Sequence, residues 1–114
     1  MNGKGYRKKG LDFEREVAVA LRGIFPNARR HLEVQIGENN GIDLDFTDPF
    51  KIQCKALNRV PNLPLVFSEF KGLTPTDIPV VAFKVTGRGS YAALRLQDLL
   101  KLLDARENKG NTSI

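Results

Sequence analysis

The chain has 114 residues, 41% of them hydrophobic and 27% charged, with a formal net charge of +5 and a pI near 9.6. That length supports one domain with one core and excludes two. A single cysteine, Cys54, excludes an internal disulfide and a multi-cysteine zinc site, and a single histidine, His31, argues against a Ser-His-Asp triad or a His-rich metal centre.

Any catalysis must therefore rest on carboxylates and lysines. No apolar run approaches the ~20 residues that cross a bilayer. The start, Met1-Asn2-Gly3-Lys4-Gly5, lacks the apolar core of a signal peptide. A cytoplasmic location is expected, the host cytoplasm if the chain is viral.

The basic excess favours an anionic partner. It is clustered, with Lys4, Arg7, Lys8 and Lys9 in one group and Arg29, Arg30 and His31 in a second. Residues 1–9 read as a flexible basic arm, residues 10–106 as one domain and 107–114 as a frayed tail.

From Leu11 to Phe25 the pattern is helical, with Phe13, Val17, Leu21 and Ile24 on one stripe, Asp12 suited to the start and Pro26 to the stop. Glu14 borders that stripe and faces partly inward, whereas Glu16 lies further toward solvent. The period then changes to two. Leu32, Val34 and Ile36 mark a strand, and Gly37 to Gly41 a loop. Ile42, Leu44 and Phe46 alternate with Asp43 and Asp45, and Ile52 and Cys54 alternate with Lys51, Gln53 and Lys55.

A short helix is expected over Leu65 to Lys71, a strand buried on both faces over Pro79 to Val85, and another strand over Tyr91 to Leu96. A last amphipathic helix runs from about Gln97 to Arg106. The order αβββαββα predicts an α/β fold, a mixed central sheet of about five strands flanked by helices. Leu65, Val66, Phe67 and Phe70 form an apolar cluster suited equally to pairing subunits or capping the core. Cys54 reads as a small buried side chain.

Alternation carries the chemistry. A three-residue Thr47-Asp48-Pro49 loop sets Asp43 on the face of Gln53 and Lys55, while a two-residue loop would turn the apolar set outward. A carboxylate, an amide oxygen and an ammonium then share one patch. Mg²⁺, or Mn²⁺ in its place, prefers such oxygen ligands: Asp43, Gln53, and the backbone carbonyl of Cys54. Lys55 suits lowering the pKa of an attacking water or stabilising phosphate charge. The set fits metal-assisted phosphodiester hydrolysis, with Glu14 as a further acid. A plain cross-strand ion pair between Asp43 and Lys55, and a salt bridge at Glu14, are the structural alternatives.

At these residues the chain resembles the PD-(D/E)xK nuclease superfamily, and within it the archaeal-type and phage Holliday junction resolvases. Gly10-Leu11-Asp12-Phe13-Glu14-Arg15-Glu16 is similar to their opening helix, Gly41-Ile42-Asp43-Leu44 to their acidic strand, and Ile52-Gln53-Cys54-Lys55 to their (D/E)-x-K strand. The resemblance implies a restriction-endonuclease-like fold and a metal site of Glu14, Asp43, Gln53 and Lys55. It also implies DNA contacts from Arg29 or Arg30 and from the loop holding Asn39 and Asn40, with a homodimer that nicks a four-way junction in pairs during DNA recombination and repair.

Gln53 departs from the pattern, standing where the family carries an acid. Weaker metal binding follows, and Asp45 on the same face is the nearest substitute in sequence. Two other readings remain: a nuclease of this fold acting on linear duplex or a restriction site, and a DNA-binding module that has lost its metal. No sequence-reading helix is evident, which favours recognition of DNA shape and backbone over bases.

Overall fold

The computed structural model describes residues 3–31 and 41–111, the first five and last three of these by backbone alone. The elements run α1 (Gly3–Leu21), β1 (Arg29–Arg30), β2 (Leu44–Asp45), β3 (Phe50–Leu57), α2 (Leu63–Ser68), β4 (Ile78–Val85), β5 (Gly89–Leu94) and α3 (Leu96–Asn111). The described elements also read αβββαββα, but their first strand is Arg29–Arg30, ahead of the expected one. The described sheet is smaller than the expected five strands: β3, β4 and β5 form a mixed three-stranded sheet, and β1 and β2 form a separate antiparallel pair. The expected strand at Leu32 to Ile36 lies outside the described residues.

β4 is central, as its apolar run predicts. It pairs parallel with β3, so that Gln53 lies opposite Val81 and Lys55 opposite Phe83. It pairs antiparallel with β5 through the Gly87–Gly89 turn. Helix α2 supplies the crossover that a parallel pair requires. Asn62 caps it, its side chain accepting from the Leu65 amide at 3.3 Å, and Pro64 sits in the first turn where no amide is needed.

The two faces of the sheet carry two cores. Phe13 and Ala18 of α1 pack on Leu44, Ile52, Cys54 and Ala82. Val66 of α2 and Phe70, two residues past its end, pack on Val81, Phe83 and Val85. The apolar cluster of α2 thus caps the core through Val66 and Phe70, while Leu65 stays exposed.

Helix α1 begins at Gly3, eight residues before the expected start at Leu11. The glycines at 3, 5 and 10 argue for an arm in sequence, since each weakens a helix interior. Contacts offset that cost. Lys8 pairs with Asp12 at 3.2 Å, one turn along, and Lys9 donates to Asn58 at 3.1 Å and to Thr86. These bonds tie the early turns of α1 to the ends of β3 and β4.

α1 then ends at Leu21, before the expected Phe25, and Arg22 closes the turn by donating to the Ala28 carbonyl at 2.9 Å. α3 runs on to Asn111, through most of the expected tail. Its stripe of Leu96, Leu99, Leu100 and Leu103 is exposed. Among the described residues no helix is long and apolar enough to cross a membrane.

Candidate active site

The acidic strand departs from simple alternation. Leu44 is buried against α1, but Ile42 packs with the α2-side core, and Phe46 is exposed with φ at 65°. The expected apolar face of Ile42, Leu44 and Phe46 is therefore not formed. The cause is competition for β2: it pairs with β1, Arg29 opposite Asp45 and Arg30 opposite Leu44, and meets β3 only around Asp43.

At that meeting point the Asp43 amide donates to the Ile52 carbonyl at 2.8 Å. The Asp43 carboxylate accepts from the Cys54 amide at 2.7 Å. These two bonds bracket Gln53, the partner that a three-residue loop sets opposite Asp43. Thr47 closes the loop: its hydroxyl donates to the Phe50 carbonyl at 2.6 Å, and its own carbonyl accepts from the Phe50 amide at 2.9 Å.

Asp43 consequently sits at the open edge of β3. Glu14, half-buried on α1, lies on the α1 side of the sheet, and its charge adds to the rise of the Cys54 thiol pKa. Gln53 and Lys55 project from the other face, toward α2. The N–H and C=O of one strand residue point to the same side. The carbonyl of Cys54 thus shares the edge on which its amide meets Asp43.

One carboxylate here has no counterpart in the sequence reading. Glu69, at the C-terminal cap of α2, accepts from Gln53 Nε2 at 2.7 Å and lies 3.4 Å from Lys55 Nζ. Asp45 does not supply the missing charge. Its carboxylate instead meets His31 Nδ1 at 3.0 Å and Arg29 Nε at 4.0 Å. Glu69 follows the core residue Val66 by three positions and precedes the core residue Phe70, an acid beside the buried face of a short helix. That spacing is the one signal of it in the sequence.

Burial pushes the Asp43 carboxyl above its ordinary 3.8; the Cys54 amide and the charges of Lys55 and His31 act against the shift, and Glu69 adds to it. The Cys54 thiol is also pushed up, first by burial and then by the Asp43 and Glu14 charges. Gln53 is 6% exposed, and with its Nε2 committed to Glu69 its Oε1 has no hydrogen-bond partner among the described residues. A buried amide oxygen left this way is costly unless a ligand meets it.

No family model, curated protein or solved structure matches the chain. The site must therefore be weighed on its own chemistry. Among the described residues no three His, Cys, Asp or Glu side chains are grouped to hold a metal. The oxygen donors around β3 are instead mixed in kind: the Asp43 carboxylate and the Cys54 carbonyl at its edge, and the orphaned Gln53 Oε1 on the face toward α2. Hard divalent cations that keep much of their water take such a set, with one or two carboxylates.

The remaining expected DNA contacts are spread over the molecule. Lys4 and Arg7 lie on the first turns of α1, and Lys8 and Lys9 are engaged as described above. Asn39 and Asn40 lie outside the described residues. Arg29 stands 5.0 Å over the ring of Phe46, and Arg30 lines a cavity beside α1.

Proposed function

We propose that this chain is a metal-dependent, structure-selective endodeoxyribonuclease that resolves four-way DNA junctions by paired nicks, working as a homodimer. The observation that carries this reading is the buried Gln53 amide, one end held by Glu69 and the oxygen end left for a cation beside Asp43. The PD-(D/E)xK resemblance of the surrounding segments supplies the substrate class.

Asp43, Gln53 Oε1 and the Cys54 carbonyl would hold Mg²⁺ or Mn²⁺, with Glu14 as a further acid from the α1 side. Such a cation, when bound, acidifies a water and draws charge from a phosphoryl oxygen. Lys55 keeps its ammonium at the reacting phosphate and offsets the charge that develops there. Glu69 fixes both Gln53 and Lys55, restoring near the site the negative charge that glutamine at position 53 removes. The leucine stripe of α3 offers an apolar surface suited to subunit pairing.

The test incubates the protein with a synthetic four-way junction and a matched linear duplex, with Mg²⁺, Mn²⁺ or chelator. Symmetric nicks on the junction alone support the proposal. Equal cutting of both DNAs replaces it with a nuclease of broader or different substrate. Tight binding without cutting under either metal leaves a DNA-binding module.

A further inference from the structure

Phe46 is unexplained by packing. Its backbone lies in the left-handed region, which a bulky side chain rarely adopts, yet the residue is 56% exposed. The strain is not offset by burial. It presents an aromatic face at the surface, with the Arg29 guanidinium 5.0 Å above the ring.

Phe46 lines a cavity of about 530 Å³ together with Arg22 and Arg29. A second cavity of about 330 Å³ adjoins it, sharing those arginines and adding Arg15 and Arg30. Four arginines line this groove, Arg22 among them with its Nε donating to the Ala28 carbonyl. Their charge is offset in part by Asp45, 4.0 Å from Arg29, and by Asp12, 3.7 Å from Arg15. Phe46 is three residues from Asp43, so their Cα atoms lie within about 11 Å.

We infer that this groove binds an unpaired nucleotide. Its base stacks on the ring face of Phe46 that Arg29 does not cover, and the flanking phosphates lie against Arg15, Arg22 and Arg30. An exposed aromatic ring in an arginine-lined channel is what single-stranded nucleic acid requires, since every base has a stacking face and every linkage a charge. Duplex DNA buries its bases and cannot use the ring. The inference rests on the nucleic-acid reading above and deepens it, assigning the protein a grip on the unpaired bases of an opened branch point beside the cutting site.

The test measures binding of an oligo-dT strand, an oligo-rU strand and a blunt duplex by fluorescence anisotropy, in chelator so that nothing is cut. Phe46→Ala should weaken single-strand binding about 5- to 100-fold and leave duplex binding unchanged. Phe46→Trp should bind at least as well as the parent, which separates stacking from folding. Arg15→Gln should reduce the salt dependence of single-strand binding by about 0.7 in the log–log slope.

Equal loss on single strand and duplex, or no loss with Phe46→Ala, overturns the subsite. A parent protein that cuts junctions but does not bind single strands overturns it too, while leaving the nuclease reading intact. Single-strand binding without any cutting does the reverse.

Discussion

A Cβ placed on Gly41 would meet the Glu69 carbonyl oxygen at 2.6 Å and the Phe70 Cα at 3.2 Å. The glycine before the acidic strand is thus the seat on which the end of α2 rests, and it sets where Glu69 meets Gln53 and Lys55. Its φ of +81° also excludes a side chain without strain.

Gly41→Ala should cost at least about 1–3 kcal/mol in urea unfolding, and it should move Glu69 off the site. Cleavage should therefore fall further than in Val85→Ala, a core change of similar cost on the far end of β4. If both variants lose activity in proportion to stability alone, Gly41 has no positioning role.

Glu69 also changes what Gln53→Glu is expected to do. With the amide gone, two carboxylates would approach across the present 2.7 Å contact, and like charges that close resist joint ionisation. Without metal the variant should melt below the parent. Mg²⁺ should recover more stability in the variant than in the parent, by binding the folded form. Cutting at saturating Mg²⁺ should be maintained or raised. Adding Glu69→Gln to Gln53→Glu restores an amide–carboxylate pair and should recover the metal-free melting temperature. Additive losses would show that the contact is not made.

The raised pKa of Asp43 fixes the sign of a pH effect. Because burial lifts the folded value above the ordinary 3.8, the folded state holds the proton more tightly than the unfolded chain. Stability from that group is full below 3.8 and is lost as pH rises through the folded value. Asp43→Asn has no such titration. The stability of the parent relative to this variant should fall as pH rises through the folded value and level off above it, and Mg²⁺ should shrink the fall by favouring the ionised carboxylate. A difference that rises with pH would contradict the buried placement. The same variant should bind junction DNA and fail to cut it.

Much of this arrangement is legible in the chain because strand and helix periods differ. The run from Pro79 to Val85 reads as a central strand because it is apolar on both alternating faces but for Lys84. The odd loop at Thr47 to Pro49 determines which of Gln53 and Cys54 comes opposite Asp43. Other features are set by contacts across the chain. The glycines at 3, 5 and 10 mask a helix held by Lys8 and Lys9. Phe46 reads as apolar strand filler, and only the pairing of β2 with β1 turns it outward. Glu69 reaches Gln53 across 16 positions, through a glycine contact that no periodicity encodes.

Leu44 connects the core to the site more directly than any other residue. It is 1% exposed, lies between Asp43 and Asp45, and packs under α1 with Phe13, Ile52 and Cys54. Leu44→Ala should cost about 2–5 kcal/mol, since a cavity in a closed core collapses only in part. Leu44→Met nearly conserves volume and should cost less than about 1.5 kcal/mol. The position of Asp43 depends on this anchor, because only its bonds to Ile52 and Cys54 otherwise hold it to β3. Leu44→Ala should therefore lower junction cleavage even at a temperature where circular dichroism shows it fully folded, and Leu44→Met should not. Full activity in folded Leu44→Ala would mean that the bonds of Asp43 to Ile52, Cys54 and the His31 amide suffice to hold the carboxylate.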